Sequence, residues 1–157
     1  MYVLLDIDGV MVPAQSWKSP EFLQDGFPVF SSKSIAALQK IIDQTGATLV
    51  ITSSHKSSYS IPEWKDIFKL RGISTSMIER LPANNLNLNR REEILNWYHT
   101  RNRANDQIAI LDDDKSLNAL PAEIKQYLVM PSPMIGLTNE LADHAISILQ
   151  AGPVVSA

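Results

Sequence analysis

Three short apolar runs punctuate the chain, and each breaks off at a cluster of small polar or acidic residues. Tyr2-Val3-Leu4-Leu5 leads into Asp6-Ile7-Asp8-Gly9. Thr48-Leu49-Val50-Ile51 leads into Thr52-Ser53-Ser54-His55-Lys56, and Ile108-Ala109-Ile110-Leu111 into Asp112-Asp113-Asp114-Lys115. Runs this short and this apolar suit strands buried on both faces. Between them the spacing turns helical. Residues 34–45 carry a stripe of Ile35, Leu38, Ile41 and Ile42 that stops at Gly46. Residues 60–70 open on a capping box of Ser60 and Glu63, tolerate Pro62 in the first turn, and bury Trp64, Ile67 and Phe68. Residues 90–101 form a third helix with Asn89 as its cap and Ile94, Leu95, Trp97 and Tyr98 on its apolar side. Residues 73–88, with Pro82 and several asparagines, read as irregular. A last strand over residues 127–130 precedes a closing helix over 139–150, capped by Thr138.

Strands alternating with helices imply an α/β fold: a three-layer sandwich around a central parallel sheet. The strands ending before Asp6, Thr52 and Asp112 should lie side by side, so that these residues converge at one rim. Strand alternation would turn Asp6 and Asp8 to the same side, with Gly9 allowing a sharp turn. Like charges gathered at the end of a buried strand cost free energy unless a cation sits among them, and a hard divalent metal is the natural one. Three consecutive acids after the strand at 108–111 exceed what a turn needs. Asp112 and Asp113 are therefore candidate metal ligands, and Asp114 a cap for residues 116–120.

With 157 residues the chain fits one domain over residues 1–150 and a loose tail over 151–157. There is no cysteine, which removes disulfides, thiolate metal sites and cysteine nucleophiles together. No apolar run approaches the roughly 18 residues of a membrane span, and acids interrupt the first run, so a cytoplasmic protein is expected. The net charge of -3 says little, but the stretch from Lys33 to Arg103 holds eleven Lys and Arg against six acids. That excess would place a basic face beside the acidic cluster.

In order, these motifs resemble those of the haloacid dehalogenase (HAD) superfamily of phosphohydrolases: strand then Asp-x-Asp-Gly, strand then Thr or Ser, a cation at a helix start, strand then Asp-Asp. The Arg90-x-x-Glu93-Ile94-x-x-Trp97 pattern and the ending narrow the resemblance to the small capless HAD domain of Swiss Army Knife RNA repair proteins. The resemblance implies roles. Asp6 would be the nucleophile, Asp8 the general acid and base, and Thr52 a hydrogen-bond donor to a phosphoryl oxygen. Arg90 would be the neutralising cation, with Lys56 and Arg91 as competitors. Ser53, Lys56 and Arg91 would touch substrate. Mg²⁺ would be held by Asp6, the Asp8 carbonyl, Asp112 and Asp113. Residues 10–32, rich in proline and aromatics including Trp17, Phe22, Phe27 and Phe30, would form a flap or minimal cap.

The 33 residues between Lys56 and Arg90 are too few for a large cap. An open site with a basic surround favours phosphorylated nucleic-acid ends, RNA or DNA, as substrate. A small phosphorylated metabolite is the alternative, and so is a non-catalytic phosphate or nucleic-acid binding module on the same scaffold. A response-regulator receiver domain is excluded, because no Asp ends a strand between Asp8 and Thr52. A metal-dependent nuclease would leave Thr52 and Arg90 without a role.

Overall fold

The computed structural model describes residues 1–14, 21–75, 77–100 and 106–151. Trp17 and Arg101, and residues 152–157 of the expected tail, lie outside the described residues. Five strands form one sheet in which every pairing is parallel: β1 (Tyr2–Leu5), β2 (Thr48–Ile51), β3 (Ile78–Arg80), β4 (Ile108–Leu111) and β5 (Leu128–Val129), in the order β3-β2-β1-β4-β5. Helices α1 (Ser32–Thr45), α2 (Ile61–Leu70), α3 (Arg90–Thr100), α4 (Ala122–Lys125) and α5 (Asn139–Ala151) flank it.

Alternation along the buried strands sorts the core into two layers. Val3, Leu5, Leu49, Ile51, Ala109 and Leu111 pack with apolar residues of α1, α2 and α5. Leu4, Val50, Ile108 and Ile110 pack on the other face with Ile94 and Tyr98 of α3, Ile124 of α4 and Leu117 of a 3₁₀ turn. Strands β1, β2 and β4 show both faces to apolar partners, which is why these runs are apolar apart from Thr48 at the start of β2.

Register decides where the site falls. Leu5 lies beside Ile51 on one side and Leu111 on the other. The next residues, Asp6, Thr52 and Asp112, therefore leave the sheet at one level of its carboxyl rim, as the sequence predicts.

The caps agree closely with the sequence. The Ser60 and Glu63 capping box is complete, Gly46 ends α1 at φ +66°, and the Asn89 side chain accepts the Glu92 N–H at 2.9 Å. Helix α1 begins two residues earlier than expected, because the Ser31 hydroxyl caps it from the Ser34 N–H at 3.1 Å. One strand departs from expectation: Ile78–Arg80 pairs with β2 as an edge strand inside the stretch that reads as irregular. Ile78 alone is buried there, so three residues offer no alternation to detect.

The described part of segment 10–32 is held by a buried cation. The Arg71 guanidinium bonds both Asp25 carboxylate oxygens at 2.7 and 3.2 Å, the Phe27 carbonyl at 2.8 Å and the Pro28 carbonyl at 2.8 Å. It also stacks against the rings of Phe27 and Phe30. Replacing Arg71 with Ala leaves these carbonyls unpaired, and should cost about 3 kcal/mol, a Tm loss on the order of 10 °C in thermal melts. The Arg71 guanidinium lowers the Asp25 pKa below 3.8. A lowered acid stabilises the fold above its unfolded pKa and loses that contribution as pH falls through its folded value. The Tm gap between wild type and Asp25→Asn should therefore be full at pH 7 and close as melts are moved below about pH 4.

Candidate active site

At the rim, the carboxylates of Asp6, Asp112 and Asp113 offer oxygen atoms that lie within 4.8 Å of one another. Asp112 is fully buried, and each of its oxygens has partners. Oδ1 accepts the Asp114 N–H at 3.0 Å. Oδ2 accepts the Thr52 hydroxyl at 3.1 Å and the Arg90 guanidinium at 2.5 Å. Arg90, in the first turn of α3, also stands 3.4 Å from Asp6 Oδ1 and 3.3 Å from Thr52 Oγ1. One largely buried cation thus bridges the ends of three strands.

Burial drives the electrostatics. Removal from water, and then repulsion by Asp112, push the Asp6 carboxyl up to about 8 despite Arg90. Burial raises Asp112 too, with Arg90 the main opposing influence. For Arg90, burial opposes the charge, but attraction to Asp112 and Asp6 outweighs it and raises its pKa further. Three acids against one guanidinium leave room for more positive charge. The donors are hard carboxylate oxygens, so they fit a magnesium ion held by Asp6, Asp112 and Asp113.

Asp8 is placed differently from Asp6. Strand β1 ends at Leu5, so both acids lie in the turn that follows it and not on the strand itself. Asp6 is buried, whereas the Asp8 carboxylate is exposed and its Oδ2 lies 3.1 Å from His55 Nε2. Gly9 makes the turn at φ +81°, and it is required for a second reason. A Cβ at Gly9 would sit 2.0 Å from Asp113 Oδ2, so a side chain here would displace a cluster carboxylate.

The other candidate residues separate. The Thr52 hydroxyl lies in the cluster, its proton directed to Asp112. Ser53 is buried, and its hydroxyl accepts the His55 N–H at 3.2 Å within the turn. Lys56 is buried and pairs with Glu93 at 2.8 Å. The Arg91 side chain has no hydrogen-bond or ion-pair partner among the described residues; its backbone N–H bonds Ser116 Oγ at 3.3 Å. Of the three candidate cations, Arg90 is the one in contact with Asp6 and Asp112. Asp114 caps the 3₁₀ turn through Ser116, as expected. Sequence reasoning does not single out His55 or the pairing of Lys56 with Glu93. The sole signal for His55 is its position in the turn after β2, the strand next to β1.

Beside the cluster opens a groove of about 760 Å³ between the loop after β3 and helix α3. Arg80, Leu86, Asn96 and Trp97 line it, and so does Glu93, which stands 3.9 Å from Arg90.

The parallel sheet with acids gathered at its carboxyl rim defines a Rossmannoid α/β domain of HAD type. Residues 2–142 match the family described as the HAD domain in Swiss Army Knife RNA repair proteins, and the chain belongs to that family. A comparison with curated proteins gives no match. No helix among the described residues is long and apolar enough to cross a membrane.

An acid with a raised pKa holds its proton in the folded state to higher pH than in the unfolded chain. For Asp6 this means that metal-free stability should fall as pH climbs from 3.8 towards about 8. A divalent cation competes with that proton. By mass action, Mg²⁺ at about one hundred times its dissociation constant adds roughly 2.7 kcal/mol. Melts with Mg²⁺ and with EDTA should diverge by several degrees at pH 8 and converge at pH 5, and Asp112→Asn should abolish the difference.

Proposed function

We propose that the chain is a Mg²⁺-dependent phosphomonoester hydrolase that works through an aspartyl-phosphate on Asp6 and acts on phosphorylated nucleic-acid ends, RNA in particular. The observation that carries this reading is the buried convergence of Asp6, Thr52 and Asp112 from three neighbouring strands onto Arg90. Family membership supports the phosphatase class and the link to RNA repair.

In the first step an oxygen of the Asp6 carboxylate bonds to phosphorus while the bond from phosphorus to the ester oxygen breaks. The Asp8 carboxyl passes its proton to the departing oxygen. In the second step water attacks phosphorus, gives a proton to the Asp8 carboxylate and releases the Asp6 carboxylate. Asp6 must be ionised to attack, and burial opposes that ionisation. Arg90 favours the charged form and offers a guanidinium to phosphoryl oxygens. A magnesium ion held by the Asp6, Asp112 and Asp113 carboxylates, with the Asp8 carbonyl, would supply the remaining charge neutralisation. Thr52, by turning its proton from Asp112, would donate to the phosphoryl group.

Two features support a polymer end as substrate. The described residues between β1 and α1 contain only isolated bridges, which fits a flap and not a folded cap. The groove shares Glu93 with the neighbourhood of Arg90, and its volume would accommodate a nucleoside.

The test is turnover of 3′- and 5′-phosphorylated RNA and DNA oligonucleotides beside small phosphate esters, with Mg²⁺ and with EDTA. Asp6→Asn should lower kcat by at least about a thousandfold and form no phosphoenzyme. Oligonucleotide kcat/KM should fall steeply between 50 and 200 mM salt (roughly tenfold or more), while that of a small ester changes little. Full activity of Asp6→Asn would remove the covalent step. Failure to cleave any ester would favour a binding module.

A further inference from the structure

Asp8 is the proposed acid and base, yet its carboxylate is largely exposed. An exposed carboxylate on a turn samples several rotamers, and a proton donor must be held within hydrogen-bond reach of the oxygen it serves. Among the described residues, His55 is the one hydrogen-bonding partner of that carboxylate, through Nε2 at 3.1 Å. His55 is itself held at its backbone and at its ring. Its own backbone N–H is bound by the Ser53 hydroxyl at 3.2 Å, and its ring meets the edge of Phe27 at a centroid distance of 5.6 Å. Phe27 is anchored in turn, since its carbonyl accepts from Arg71 at 2.8 Å and its ring also packs against Trp64 and Tyr59. The chain of contacts runs from the buried Arg71 through Phe27 and His55 to the exposed carboxylate.

We infer that His55 is a positioning residue that aims the Asp8 carboxyl at the leaving oxygen, and that Phe27 holds the imidazole for this task. The inference rests on the proposed role of Asp8 as acid and base. It assigns a function to a residue outside the four motifs, and it links segment 21–31 to the chemistry without any movement of that segment.

A structural role and a positioning role differ in their dependence on the leaving group. An ester with a poor leaving group needs a well-aimed proton, whereas p-nitrophenyl phosphate needs almost none. The value of kcat/KM reports the steps up to the first irreversible one, here departure of the leaving group. It should be measured for wild type, His55→Ala, His55→Gln, His55→Asn and Asp8→Asn on p-nitrophenyl phosphate, phenyl phosphate and a 3′-phosphorylated oligonucleotide, with a thermal melt of each variant.

His55→Ala should lose at least about tenfold on the oligonucleotide and less than about threefold on p-nitrophenyl phosphate. Gln carries an amide nitrogen at about the reach of Nε2, so His55→Gln should recover most of the loss. Asn is one methylene shorter and should recover little. Equal losses on all esters, no loss in His55→Ala, or equal behaviour of the Gln and Asn variants would overturn the inference. If Asp8→Asn also loses equally on every ester, or wild type turns over none, the underlying reading of Asp8 fails as well. Leaving-group selectivity in Asp8→Asn without selectivity in His55→Ala would remove the inference and leave that reading intact.

Discussion

The common register of β1, β2 and β4 is the constraint on which this site depends. Because Leu5, Ile51 and Leu111 lie side by side, the next residue of each strand emerges at the same height from the sheet. A slip of one residue in either pairing would turn core side chains towards the wrong layer and move Thr52 or Asp112 away from Asp6. The apolar packing that holds the register is therefore also what holds the chemistry. Val3 and Leu5 face one core and Leu4 the other, so the central strand is pinned from both sides.

Burying carboxylates together at that rim carries an electrostatic cost: removal from water, and then repulsion by Asp112, push the Asp6 carboxyl up to about 8. Arg90 offsets part of it. Its Nη1 nitrogen reaches Asp112, Asp6 and Thr52 together, while Nε stands 3.9 Å from Glu93. Lys56, which sequence position alone makes a rival, is occupied by Glu93 in a buried pair. That pair, within reach of Arg90 through Glu93, steadies the start of α3 beside the groove.

A buried cation also organises the segment before α1. Arg71 draws Asp25, Phe27 and Pro28 onto α2, so a segment with few regular hydrogen bonds of its own acquires fixed aromatic walls. Gly9 and Asp113 show the same economy at smaller scale, since the absent Cβ is the space the carboxylate occupies.

Much of this was legible in the amino-acid order. The strands β1, β2 and β4, the capping box at Ser60, the Gly46 stop and the gathering of Asp6, Thr52 and Asp112 obey local rules: apolar runs, cap chemistry and the convergence of parallel strands at one rim. Tertiary structure alone decided what depends on contacts between distant segments. It paired Ile78–Arg80 with β2, set the Asp8 carboxylate against His55, engaged Lys56 with Glu93, and joined Arg71 to Asp25. The physical reason is range. Periodicity and capping act over a few residues and leave a trace in spacing, whereas ion pairs and side-chain aim are set by residues dozens of positions apart that no local pattern records.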